Sequence, residues 1–251
     1  MREALRQQYL QAMGIQLWES RVQPQVVEVH TLPDDEVELI AAPQTEPGPV
    51  SIPSGDMLRD HPVLPDWSAF QTSVENCQQC ALHESRVFPV PGVGDTSARL
   101  MLVGEAPGAE EDRKGEPFVG RAGQLLNEML LSMGYSRQQV YITNLIKCRP
   151  PNNRDPRVDE VAACESFLRQ QIQWIQPTLI VALGRFAAQN LLKTDASLGQ
   201  LRGQLHTCQG FDIPVLVTYH PAYLLRKPLE KRKTWHDLHR VMECLQSGES
   251  T

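Results

Sequence analysis

The chain has 251 residues, 41% of them hydrophobic, with 24 basic and 30 acidic side chains and a formal net charge of −6. That suffices for one sizeable domain with an appendage, and with no signal peptide and no run of about 18 apolar residues the chain is expected to be cytoplasmic. Residues 1–66 hold four arginines against eleven carboxylates, so the rest is nearly neutral and does not advertise nucleic acid, although local patches can still bind phosphate.

In chain order, Leu5, Tyr9, Leu10 and Met13 recur at helical spacing before Gly14, which predicts an opening helix with a C-terminal stop. The stretch 33–65 is rich in Pro, Asp and Glu and has too few large apolar side chains to offset the entropy of ordering, so it reads as linker. The expected organisation is an N-terminal helical segment over 1–30, an acidic Pro-rich linker over 31–66 and a folded domain over 67–251.

From Arg99 the pattern becomes regular. Arg99–Val103, Val140–Thr143, Thr178–Ala182 and Val215–Thr218 read as short buried strands. Helical stretches near Ala122–Met133, Val158–Ile175, from Arg185, and Leu229–Leu245 alternate with them. The repetition predicts an α/β fold, a three-layer α/β/α arrangement around a four-stranded, mostly parallel sheet. Ligands bind such sheets beyond the C-terminal strand ends. Those ends lead into Gly104-Glu105-Ala106-Pro107-Gly108, Asn144-Leu145-Ile146-Lys147, Gly184-Arg185 and His220-Pro221-Ala222, which places the most chemically specific segments on one rim.

Four of the six cysteines, Cys77, Cys80, Cys148 and Cys164, interleave with those segments. In a reducing compartment such a set more often holds metal than forms disulfides, and four thiolates suit zinc and an iron–sulfur cluster equally. Cys208 and Cys244 lack close partners and read as ordinary thiols. Taken singly, the other features are also unremarkable: a Gly-Glu-Ala-Pro-Gly turn, a core phenylalanine at Phe118, a capping Asn144 and a structural His220. Their coincidence at one rim is what points to a site.

Gly104-Glu105-Ala106-Pro107-Gly108, Pro117-Phe118-Val119-Gly120-Arg121-Ala122-Gly123, Tyr141-Ile142-Thr143-Asn144 and His220-Pro221-Ala222-Tyr223-Leu224-Leu225-Arg226 resemble the motifs of family 4 uracil-DNA glycosylases, over roughly residues 70–245. The resemblance implies a monofunctional repair enzyme that hydrolyses the N-glycosidic bond of uracil in DNA and leaves an abasic site. It implies a [4Fe–4S] cluster on Cys77, Cys80, Cys148 and Cys164. It also implies that Phe118 stacks on the base, that Asn144 reads the uracil edge, and that His220 donates to O2 as charge develops. Glu105 would orient the attacking water, with Gly104, Ala106, Pro107 and Gly108 around the base. Extrusion of the base is required, since an in-stack pyrimidine cannot reach these groups. Leu225 would wedge into the duplex and Arg226 meet a phosphate; Lys147 and Arg149, with Arg154 and Arg157, are expected to form a DNA-facing patch. A neighbouring family that links covalently to DNA uses a histidine in a basic insertion, but Arg149–Ala163 contains none, so turnover by water is expected.

Tyr9-Leu10-Gln11-Ala12-Met13-Gly14-Ile15-Gln16-Leu17-Trp18-Glu19-Ser20-Arg21 resembles the N-terminal segment of the psi subunit of the bacterial DNA polymerase III clamp loader. That resemblance implies an arm over 1–30 docking on the clamp loader, tethered by the linker, with the free protein a monomer. The competing reading is a psi-like accessory subunit of the polymerase whose glycosylase-like domain is a DNA-binding module.

Overall fold

The computed structural model describes residues 64–247. The predicted opening helix, the clamp-loader segment over 1–30 and most of the linker lie outside the described residues. The last linker residues belong to the folded body: Leu64 offers its carbonyl to Gln170, and Asp66 caps the first helix by accepting from Ala69 N at 2.8 Å. That helix, α1 (Trp67–Glu75), buries Phe70 and Val74.

The four predicted strands are β2 (Leu100–Gly104), β3 (Tyr141–Asn144), β4 (Leu179–Leu183) and β6 (Pro214–Thr218), and they pair in parallel in the order β3-β2-β4-β6. Two short antiparallel strands extend the sheet to six, β1 (Val93–Gly94) beside β3 and β5 (Leu205–Thr207) beside β6. β2 and β4, at the centre, are unbroken apolar runs, as strands covered on both faces tend to be.

Alternation along each strand divides the core. Leu100, Leu102, Val181 and Leu216 face a layer containing Leu126 and Leu130 of α3 (Arg121–Ser132) and Leu238 and Val241 of α8 (Lys231–Ser247). Met101, Val103, Ile180 and Val217 face the opposite layer, with Leu168 and Ile172 of α4 (Val158–Ile175) and Ala187 and Leu191 of α5 (Arg185–Leu192). Burying such aliphatic side chains is worth roughly 1.5–3 kcal/mol apiece. Three further short helices complete the body: α2 (Ala109–Lys114), α6 (Leu198–Leu201) and α7 (Pro221–Arg226). A third, smaller apolar cluster joins Phe70, Val74 and Leu82 to Ile146, Cys148, Cys164 and Phe167. Among the described residues no helix is long and apolar enough to cross a membrane.

Candidate active site

A cleft of about 400 Å³ opens at the C-terminal ends of the parallel strands, where the sequence places its candidates. Glu105, Ala106, Pro107 and Gly108 enter from the loop after β2, Asn144 from the end of β3, and His220 and Ala222 from the segment after β6. Phe118 closes another wall. Gly104 lies beneath: a Cβ there would collide with Asn144 Oδ1 and with the Phe118 ring, so only glycine lets those two groups approach the strand end.

Phe118 has a left-handed backbone (φ 53°), uncommon for a large side chain, and it is held from both sides. Arg137 donates to Phe118 O at 3.1 Å and to Pro117 O at 2.7 Å. Glu111 Oε1 accepts from Val119 N and Gly120 N at 3.0 and 3.1 Å, at the start of α3. Gly123 makes room, because a Cβ there would overlap the Phe118 carbonyl. The fixed ring lies 5.5 Å from the imidazole of His220, with 33° between the planes. Glu111 and Arg137 were not among the sequence candidates. Glu111 sits in the charged run Glu110-Glu111-Asp112-Arg113-Lys114, which reads as a solvated face, and only its place in the first turn after the Gly-Glu-Ala-Pro-Gly loop hints otherwise.

His220 caps α7, and Pro221 follows at the first helical position, where its missing N–H costs nothing. The Ala222 amide donates to Nδ1 of His220 at 3.1 Å, so Nδ1 is the acceptor and the ring proton sits on Nε2. Burial, helped by the positive charge of Arg226, pulls the imidazole down to about 4, so at neutral pH it is an uncharged Nε2–H donor. Glu105 moves the other way. Burial, reinforced by the carboxylate of Asp155 and opposed by Arg185, pushes it up to about 7. Arg185 and Asp155 form an exposed ion pair at 3.6 Å beside the cleft.

Asn144 is 1% exposed, and its Oδ1 is buried with no hydrogen-bond partner in the protein. Such an orphan costs about 1–3 kcal/mol, a debt that a ligand with a matching N–H would cancel. The cleft therefore offers an aromatic face, an amide with an unused acceptor, a neutral imidazole donor and a carboxyl group poised near neutrality. That set suits a flat heterocycle presenting an N–H and carbonyl oxygens, with a water positioned by the carboxylate.

The rim only partly follows expectation. Arg226 lines the cleft, and Leu225 beside it is 36% exposed on α7. Arg149 is half-buried and bonds Asn153 Oδ1 at 2.8 Å, while Arg154 is locked against the Glu160 carboxylate by two bonds of 2.8 and 2.5 Å. Lys147 is a correction. It is 1% exposed and its ammonium points into the protein, so it cannot meet a DNA phosphate. The sequence groups it with Arg149, Arg154 and Arg157 around Cys148 as a DNA-facing patch, whereas its ammonium is taken up by Thr143, Asn144 and Gln171.

The four cysteines gather behind this wall. Cys77 and Cys80, half-buried, follow α1; Cys148 and Cys164, buried, come from the loop after β3 and from α4. They share an apolar pocket with Phe70, Leu82, Ile146 and Phe167, and Ala106 packs on the same cluster while also lining the cleft. Donors reach the sulfurs: Arg86 Nη1 to Cys148 Sγ at 3.0 Å and Lys147 N to Cys164 Sγ at 3.3 Å. Burial raises the thiols of Cys80, Cys148 and Cys164, the last to about 12. Four thiols on one apolar cluster, with N–H donors to the sulfurs of Cys148 and Cys164, suit a thiolate-bound metal group.

Comparison with known proteins gives a concordant picture. Residues 91–239 match the family model described as "Uracil DNA glycosylase superfamily". A "Type-4 uracil-DNA glycosylase" of Archaeoglobus fulgidus is 45% identical over 184 residues, 71% of this chain and 92% of that protein. Another of the same description from Saccharolobus solfataricus is 45% identical over 71% of this chain and 86% of its own length, and one from Thermotoga maritima is 47% identical over 61% and 80%.

Proposed function

Because this chain belongs to the uracil-DNA glycosylase superfamily, and within it to the type-4 enzymes, we propose that the cleft hydrolyses the N-glycosidic bond of uracil in DNA through the groups described above. The observation that carries the assignment of roles is the buried, partnerless Oδ1 of Asn144 in the cleft that Phe118 and His220 also line. In the extruded nucleotide Phe118 stacks on the base and the Asn144 amide pairs with N3–H and O4 of uracil. Cytosine offers the opposite donor and acceptor pattern at that edge, so the same amide discriminates against it.

As the C1′–N1 bond breaks, its electron pair passes to the base and charge accumulates on O2. The Nε2–H of His220 meets that oxygen, and because the imidazole is already neutral it stabilises by hydrogen bonding without transferring a proton. The Glu105 carboxylate holds a water against C1′; as its oxygen bonds to carbon it gives up a proton to Glu105, leaving the uracil anion and an abasic deoxyribose. The proton on Glu105 then returns to solvent or to the departing base to give neutral uracil. Arg226 and Leu225 would meet the phosphate and the stacked bases beside the extruded one. Arg149, half-buried, would act at the edge of this contact.

Cys77, Cys80, Cys148 and Cys164 would hold a [4Fe–4S] cluster, whose contribution when bound is to cross-link α1, the loop after β3 and α4. Its chemistry is structural in this reading, and the protein's own residues perform the reaction. The competing accessory-subunit reading is not favoured, since Glu105, Phe118, Asn144 and His220 meet in one cleft. Docking of residues 1–30 on the clamp loader rests on their sequence alone; binding of a 1–30 peptide to the clamp loader tests it, and no association would dismiss it.

The activity test is incubation of the holoprotein with a uracil-containing oligonucleotide, followed by alkaline cleavage at abasic sites. Strand scission only at uracil is expected; none with brown, intact protein would overturn the proposal.

A further inference from the structure

We propose that Lys147 is the positioning residue of the base-reading asparagine: its ammonium clamps the main chain of Asn144 and thereby aims the Asn144 amide into the cleft. The inference rests on the uracil reading above and adds a specificity determinant to it. Lys147 Nζ donates to Asn144 O, Thr143 Oγ1 and Gln171 Oε1, each at 2.7 Å, so its three N–H bonds meet three acceptors. The acceptors are themselves anchored. Thr143 Oγ1 donates to Pro91 O at 3.0 Å, and the Gln171 amide donates to Pro91 O and to Tyr141 Oη at 2.7 and 2.8 Å.

Asn144 needs such an anchor because its own side-chain oxygen has no partner until a base arrives. Its aim must therefore come from the main chain. The next two amides are tied to the loop after β2, Leu145 N to Gly104 O at 3.0 Å and Ile146 N to Glu105 O at 3.3 Å. Lys147 holds the carbonyl of Asn144 itself, while its backbone amide bonds Cys164. A fully buried ammonium is costly unless every proton is used, and an apolar side chain would fill the same space without that cost. What methionine or leucine cannot supply is a three-pointed grip joining β3, α4 and the base-reading residue.

Lys147→Met keeps the bulk and removes the grip. Binding of brown holoprotein is measured to two oligonucleotides, one carrying 2′-fluoro-deoxyuridine, which resists hydrolysis, and one carrying a tetrahydrofuran abasic analogue, which has no base for Asn144 to read. The expected result is an affinity for the fluorinated uracil strand lowered about tenfold or more, with abasic binding unchanged. Thr143→Val removes one acceptor of the ammonium and should give a smaller loss in the same direction even if Lys147→Met does not fold. Wild-type preference retained by the variants, or equal losses on both strands, would overturn the inference alone. As a control, a wild-type protein that binds the fluorinated uracil strand no more tightly than the same strand with thymine in its place would overturn the proposed function and this inference together.

Discussion

The cleft and the cysteine pocket lie on either side of one short segment, Asn144 to Cys148, yet they are built on opposite terms. The cleft keeps its groups unfinished: a buried amide oxygen with no partner, a phenylalanine in a left-handed conformation, and a carboxyl group pushed toward neutrality. The cysteine pocket is walled by Phe70, Leu82, Ile146 and Phe167, and its sulfurs receive donors from Arg86 and Lys147. Unsatisfied polar groups and backbone strain persist only where surrounding structure over-determines them. The contrast teaches where support for the unfinished cleft is to be sought: in the packed cysteine cluster and, on the proposed reading, in the Lys147 network.

Variants should separate the two regions, and the largest effects belong to the cleft. His220→Ala removes the donor at the developing oxyanion and should lower the excision rate constant about 10²–10³-fold in single-turnover assays, with the visible absorption of the protein unchanged. Gly104→Ala, which forces a Cβ against Asn144 and Phe118, should cost about 10²-fold, again without loss of colour. Cys148→Ser should do the reverse. It should bleach the absorption near about 400 nm and lower the thermal midpoint, with activity falling in proportion to the folded fraction. A Cys148→Ser protein that stays brown and fully stable would break the comparison.

The smallest predicted effects are in the pH profile. Glu105, raised to about 7, is protonated below that value and becomes the water-holding carboxylate above it, so excision should rise with pH through about 7. His220, depressed to about 4, stays neutral over the same range and adds no limb. Glu105→Gln should flatten the rise along with most of the rate. Asp155→Asn, by removing a carboxylate that disfavours ionisation of Glu105, should move the midpoint slightly lower, and Arg185→Met slightly higher. The pair is exposed, so salt should shrink both shifts.

The architecture was legible where side-chain chemistry repeats. Leu100–Gly104 and Leu179–Leu183 are unbroken apolar runs, and the cleft's glycine, asparagine and histidine stand at or just beyond the ends of β2, β3 and β6. β1 and β5 escaped because they are edges of two and three residues with partly exposed side chains, too short to show a period. Phe118, Asn144 and His220 were recognisable by motif, but the supports for Phe118 were not. Arg137 and Glu111 act on main-chain atoms up to 20 positions away, which no local pattern encodes. Lys147 was misread for a related reason. A lysine two residues before an arginine, in a segment with Arg154 and Arg157, looks like surface charge, and only the fold shows that its ammonium is enclosed by three acceptors on β3 and α4.

The most direct test of the division of labour is single-turnover excision from a uracil oligonucleotide by brown wild-type protein and by an Asn144→Ala plus His220→Ala variant, with the visible spectrum recorded on the same samples. The account predicts identical spectra and excision abolished in the double variant. Wild-type excision persisting in that variant would contradict it.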